Sequence, residues 1–274
     1  MSSVRIRYSL LAIFLGATPS LAAQALPRAL PEDVGMSSSR LERLDDALQE
    51  YVDEDRLPGG VAVVLRHGQV VYQNAFGLRD REVGDAMQAT DRFRIASQSK
   101  ALVSVAVMML QEEGSLLISD RVSRYLPAFS NTTVAVADGD DDYEVVEADR
   151  AVTLRDLLTH TAGVGYGGGA GAREWEEAEV QGWYFAHRDE PIRATVDRIA
   201  SLPFDRQPGD AFVYGYSTDV LGAVVEAVSG LTLDAFLRSH IFEPLEMKST
   251  GFYLDPDLRG DLATVYSLRA GQGL

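Results

Sequence analysis

Phe93-Arg94-Ile95-Ala96-Ser97-Gln98-Ser99-Lys100 opens the stretch that decides the fold. Behind it Ala101, Leu102, Val105, Ala106, Met109 and Leu110 recur at helical spacing up to Gly114, which predicts a buried helix with Ser97 at its start. Residues three apart share a helix face, so Ser97 and Lys100 can meet, and the free N–H groups of a helix start favour negative charge there. That pairing suffices for acyl transfer: a partly desolvated lysine releases its proton more easily, takes the serine proton, and leaves an oxyanion beside backbone donors. Lysine occurs only at Lys100 and Lys248, so its placement here carries weight.

Upstream of that helix the texture differs. Ser37 to Ser39 can cap a helix carrying Leu41, Leu44, Leu48 and Val52, which should end before Leu57-Pro58-Gly59-Gly60. Val61 to Leu65 and Val70 to Phe76, broken at His67-Gly68, read as an antiparallel hairpin. Downstream, helical patterns cover Asp120 to Tyr125, Leu154 to Leu158, Ile192 to Leu202, Asp219 to Val228 and Leu233 to Phe242. One interruption, Val134 to Val136 and Tyr143 to Val146 around Asp138-Gly139-Asp140-Asp141-Asp142, predicts a small hairpin with an acidic tip. A calcium loop would need a later carboxylate that the run lacks.

The 274 residues hold 41 acidic and 25 basic side chains, a net charge of −16, so a partner bound through nucleic-acid phosphates is not expected. No cysteine is present, which removes disulfides, thiol nucleophiles and Cys-ligated zinc. His67, His187 and His240 show no metal-ligand spacing, and neither metal nor cofactor is expected. Arg5 and Arg7, the apolar run Ser9 to Ala17 and the small residues Ala23-Gln24-Ala25 make residues 1–25 an export signal peptide. The remaining chain shows no membrane-length apolar run, so no membrane span and a periplasmic or secreted location are expected.

Further ordered segments give the Ser97 stretch its context: Asp120-Arg121-Val122-Ser123-Arg124-Tyr125-Leu126-Pro127, Leu154-Arg155-Asp156-Leu157-Leu158-Thr159-His160-Thr161-Ala162-Gly163, Pro208-Gly209 with Tyr214-Gly215-Tyr216-Ser217, and Phe242-Glu243-Pro244-Leu245-Glu246-Met247. From about Leu41 to Phe252 the chain resembles the serine β-lactamase and penicillin-binding-protein superfamily, in its class C-like branch that includes the family VIII carboxylesterases. The resemblance implies a β-lactamase/transpeptidase-like fold of mixed α/β (α+β) class, an antiparallel sheet flanked by helices plus a mostly helical subdomain. Residues 26–274 would then be one hydrolase domain, with 37–80 supplying the helix and hairpin of the sheet region and 95–250 the helical region around the site.

The resemblance also implies roles. Ser97 would be acylated, with Lys100 moving the proton. The second family motif, Tyr-x-Asn or Tyr-Ser-x, is matched by Tyr216-Ser217-Thr218, which makes Tyr216 the acid/base and Ser217 a substrate contact; Tyr214 is the competing tyrosine. A tyrosine oxygen near an ammonium can ionise or relay a proton. Thr218 replaces the Asn of the β-lactamase form and has no amide to offer, which favours small acyl esters over β-lactams or D-Ala-D-Ala peptides. His160 invites a Ser-His-Asp triad, but no Gly-x-Ser-x-Gly elbow accompanies it, and a structural histidine bonding loop backbone is expected. Gly163 to Gly171 follows no strand and reads as a flexible loop beside the site. Lys248-Ser249-Thr250-Gly251 nearly matches the third motif, Lys/His-Thr/Ser-Gly, but lacks strand context and is read as structural. The strand carrying that motif, and the sheet strands after it, do not occur before Leu274, which suggests a C-terminally truncated domain, with an inactive remnant as the reading from another class.

Overall fold

The computed structural model describes residues 26–139, 142–182 and 189–267. Residues 1–25, read from the sequence as an expected export signal, His187 and the acidic pair Asp140 and Asp141 lie outside the described residues.

Helix α1, Ser38–Asp53, lies along one face of a hairpin. Its first turn is not capped by Ser37; Glu32 instead accepts from the Ser38 N–H at 2.7 Å and the Ser38 hydroxyl at 2.8 Å, which holds the Glu32 carboxyl below its ordinary range. Strands β1, Gly59–Arg66, and β2, Gln69–Asp80, pair antiparallel with Val61 opposite Ala75, and β3, Asp85–Ala86, extends the order to β1-β2-β3. Asp45 of α1 accepts from both the Tyr72 hydroxyl and the Asn74 amide of β2, so polar contacts join this layer. No residue of α1 is buried, and Val63 and Leu65 of β1 are exposed, because this layer is covered on one side only.

Burial is concentrated in the helical region that follows. Helix α2, Ser99–Glu112, buries Val103, Ala106, Val107 and Leu110. The expected acidic hairpin forms as β4, Thr133–Ala137, and β5, Tyr143–Glu147, with Ala135 opposite Val145, and Phe204 bonds alongside β4. The pattern at Asp120 to Tyr125 yields only a short 3-10 turn, Val122–Arg124. Helix α3, Leu154–Leu158, starts at a reciprocal capping box between Thr153 and Asp156, and the buried Asp156 also receives Arg150 at 2.7 and 2.9 Å. Three further helices follow: α4, Ala172–Glu177, which buries Trp175; α5, Ile192–Ala200; and α6, Ser217–Ser229, which buries Val220 to Val225. Helix α7, Leu233–Leu237, runs into a π-helical turn at Arg238–Phe242. Helix α6 is the hub, packing on α2, α3, α5 and α7. Among the described residues no single helix is long and apolar enough to cross a membrane.

Candidate active site

The start of α2 places Ser97. It lies in the short turn Ala96–Gln98 just before the helix, preceded by Ala96 at φ +43°, a left-handed conformation that a residue with a Cβ adopts only where its surroundings enforce it. Ser97 is exposed, and Lys100, one helical turn on, brings its Nζ to 3.4 Å from the Ser97 Oγ. The sequence pairing of these two residues is therefore realised.

What surrounds Lys100 comes from two other segments. Lys100 Nζ donates to the Tyr166 hydroxyl at 3.2 Å and lies 4.8 Å from the centre of the Tyr214 ring. Burial alone would push the lysine down, but hydrogen bonding to Tyr166 and Tyr214, with the negative charge of Asp219, outweighs it and raises its pKa. These surroundings favour the ammonium form of Lys100 over the ready proton release expected from the sequence. Tyr214 moves the opposite way, its phenol lowered by hydrogen bonding to Ser97 and by Lys100, against burial and Asp219. A cation beside a phenol made more acidic is an arrangement in which the phenol can act as a base.

The structure does not bring Tyr216 to this pair. Its ring is 2% exposed and stacks on Trp175 at 6.0 Å, and its hydroxyl donates to the Gly182 carbonyl at 3.0 Å. Ser217 is corrected as well. As the first residue of α6 it is fully buried, its Oγ without a hydrogen-bond partner among the described residues, so no substrate reaches it. Thr218 is buried beside it.

Tyr166 escaped the sequence reading because it sits inside the glycine stretch. Much of that stretch is closely packed: a Cβ on Gly165 would stand 2.0 Å from the Asp205 carboxylate, and one on Gly215 would stand 2.4 Å from the Gly165 backbone. Main-chain bonds from Asp205 N to Gly163 O, Gly209 N to Thr161 O and Val213 N to His160 O fasten the two segments at 2.7–2.8 Å. Two bare backbones in contact carry Tyr166 and Tyr214 to the same lysine; the glycines flanking each tyrosine were the available signal. Lys248 to Gly251 forms turns, with no strand.

Residues 44–274 match the family model described as Beta-lactamase. The chain belongs to the beta-lactamase family. This beta-lactamase-family chain is 37% identical over 216 residues to esterase EstB of Burkholderia gladioli, covering 79% of the chain and 52% of that protein. It is 30% identical to a putative penicillin-binding protein, PbpX of Bacillus subtilis, over 71% of the chain and 41% of that protein. Among solved structures it is similar to EstCE1, a hydrolase with promiscuous acyltransferase activity, with a TM-score of 0.71 and 31% identity over 83% of the chain and 56% of the other. Unliganded simvastatin synthase LovD from Aspergillus terreus gives a TM-score of 0.65 at 26% identity, over 83% and 58%. The β-lactamase/transpeptidase-like fold expected from the resemblance is thereby shown, and the chain spans about half the length of the curated relatives it matches.

Proposed function

We propose that this chain is a carboxylesterase-like serine hydrolase acting on small acyl esters through an acyl-enzyme at Ser97. The observation that carries the reading is the convergence of Ser97, Lys100 and Tyr214. Tyr214, as the phenolate, takes the Ser97 proton while Oγ forms a bond to the ester carbonyl carbon. The Lys100 ammonium stabilises the phenolate, and the Ser97 N–H is one donor to the oxyanion. As the tetrahedral intermediate collapses the carbon–alkoxy bond breaks, and the alcohol leaves with the proton from Tyr214. Water then repeats the sequence on the acyl-serine and releases the acid.

Ester over β-lactam follows from the residue two places after Tyr214. The family's β-lactamase form has Asn there; here it is Tyr216, turned away onto Gly182, so no side-chain amide comes from that position. The likeness to esterase EstB supports the same choice. In the full chain, a fluorophosphonate probe should label wild type and not Ser97→Ala, and p-nitrophenyl butyrate should turn over much faster than a chromogenic cephalosporin. Labelling of Ser97→Ala, or a cephalosporin rate equal to the ester rate, would refute the assignment. We further infer export, on the Arg5, Arg7 and Ser9 to Ala17 pattern; a mature N-terminus found anywhere but near Leu26 in the exported fraction would refute it.

A further inference from the structure

His160 is fixed in an unusual way. Its backbone is left-handed, at φ +56°, two residues after the end of α3, and its carbonyl accepts from Val213 N at 2.7 Å. Its imidazole lies against the Val213 main chain. The same ring packs on Tyr214, with centroids 4.9 Å apart and planes 31° from parallel, and meets Phe212 at 5.7 Å. One residue thus holds three successive positions, Phe212, Val213 and Tyr214. A non-glycine residue in left-handed backbone costs on the order of 1 kcal/mol and persists where surrounding contacts require it.

We infer that His160 is a positioning residue for the proposed reaction: as a neutral imidazole it clamps residues 212–214 so that the Tyr214 hydroxyl stays beside Ser97 and Lys100. The inference rests on the reading of Tyr214 as the base. The neutral form is the one that fits, because Nδ1 is buried with no partner among the described residues and a proton there would have no acceptor. Burial and the charge of Lys100 hold the His160 pKa below the usual histidine range, against the opposing pull of the Val213 main chain. An imidazolium would face the Lys100 ammonium of α2, with Tyr166 on the glycine stretch and Asp219 on α6 as the other titratable groups around that lysine. As pH falls through the His160 value, the second cation and the unpartnered proton loosen the clamp. Asp219 titrates as well, at about 6, so the two must be separated by substitution.

Two variants of the full chain make that separation. His160→Phe keeps a ring on Tyr214 and loses the ring nitrogens that face the Val213 main chain; His160→Gln keeps a donor and loses the ring. Each should lower kcat for p-nitrophenyl butyrate about tenfold or more with KM within about threefold, and should slow fluorophosphonate labelling of Ser97 by the same factor. The acid limb of the pH profile should lose its His160 component and keep that of Asp219, at about 6. Unchanged kinetics and an unchanged acid limb in both variants, with labelling still abolished by Ser97→Ala, would overturn the positioning role and leave the acyl-enzyme standing. Persistent labelling of Ser97→Ala would instead bring down the reading on which it rests. Should neither variant fold, imidazole nitrogen shifts of the wild type decide: a neutral His160 at pH 7 is expected, and an imidazolium there overturns the inference.

Discussion

Tyr214 and Tyr216 are separated by a single glycine, yet Lys100 Nζ lies 4.8 Å from the Tyr214 ring while the Tyr216 hydroxyl is bonded to Gly182 at 3.0 Å. Exchanging either tyrosine for phenylalanine removes one hydroxyl, so the two variants compare position alone. Tyr214→Phe should lower kcat by about 10²- to 10⁴-fold, the usual worth of a general base, with little change in melting temperature. Tyr216→Phe should keep near wild-type turnover and lose about 1 kcal/mol of stability, one buried hydrogen bond. The reverse pattern would return the second motif to Tyr216.

The state of Lys100 gives a second test. Its raised pKa makes its charge, and not its release of a proton, the working quantity. The lowered Tyr214 pKa means that kcat/KM should climb with pH and level off below pH 10, the ordinary tyrosine value. Lys100→Met removes the cation, so its limb should move upward and its rate at pH 7 should fall furthest. Lys100→Arg keeps a cation in altered geometry and should retain more activity than Lys100→Met. Equal loss in the two variants would mean that Lys100 itself must give up a proton.

The difference between what the sequence revealed and what it hid lies in the range of the interactions. Ser97 and Lys100 were legible because helical spacing alone brings them together, and the hairpins were legible from β-branched runs broken at turns. The choice between Tyr214 and Tyr216 depends on tertiary contacts, His160 on one ring and Trp175 on the other, which leave no local pattern. Glycines in the 163–171 stretch read as freedom, whereas they serve close approach to Asp205 and Gly215. Helix α4 was missed because Ala172–Glu177 has a single buried residue, Trp175, too few for periodicity to show. Lys100 was expected to lose its proton because burial was visible in the apolar helix, while the opposing hydroxyls and Asp219 come from distant sequence.

Asp219 ties stability to the site. Burial pushes its carboxyl up to about 6 from 3.8, against the pull of Lys100 and its own backbone N–H. A raised folded-state pKa favours the protonated form, so its stabilising contribution is complete below about pH 4 and is lost as pH rises through about 6. Asp219→Asn, uncharged throughout, should therefore be more stable than wild type at pH 7.5, by on the order of 3 kcal/mol, and nearly equal to it at pH 4. Removing that charge also lowers the pKa of Tyr214, so the alkaline rise in activity should shift downward. Urea denaturation at the two pH values checks the first point; a less stable variant at pH 7.5 would show that the carboxylate is a net stabilising partner of Lys100.

Gly215 joins the two tyrosine-bearing segments, and the smallest possible change there should disturb both. A Cβ on Gly215 would meet the Gly165 carbon at 2.4 Å and the Val164 carbonyl oxygen at 2.4 Å, contacts with backbone that no side-chain rotation can relieve. Gly215→Ala must therefore separate residues 164–166 from 214–216, which draws Tyr166 and Tyr214 away from their common position at Lys100. Overpacking of this kind costs about 1–3 kcal/mol. The loss of alignment should appear separately, since a displacement of about 1 Å at a catalytic group lowers turnover by about a hundredfold. Gly68→Ala is the control, a positive-φ glycine at φ +74° in the β1–β2 turn with open space around it, where strain without overpacking should cost stability and spare kcat. If Gly215→Ala loses stability but keeps wild-type kcat, the close approach of the two segments serves folding alone and the tyrosines are held by other contacts.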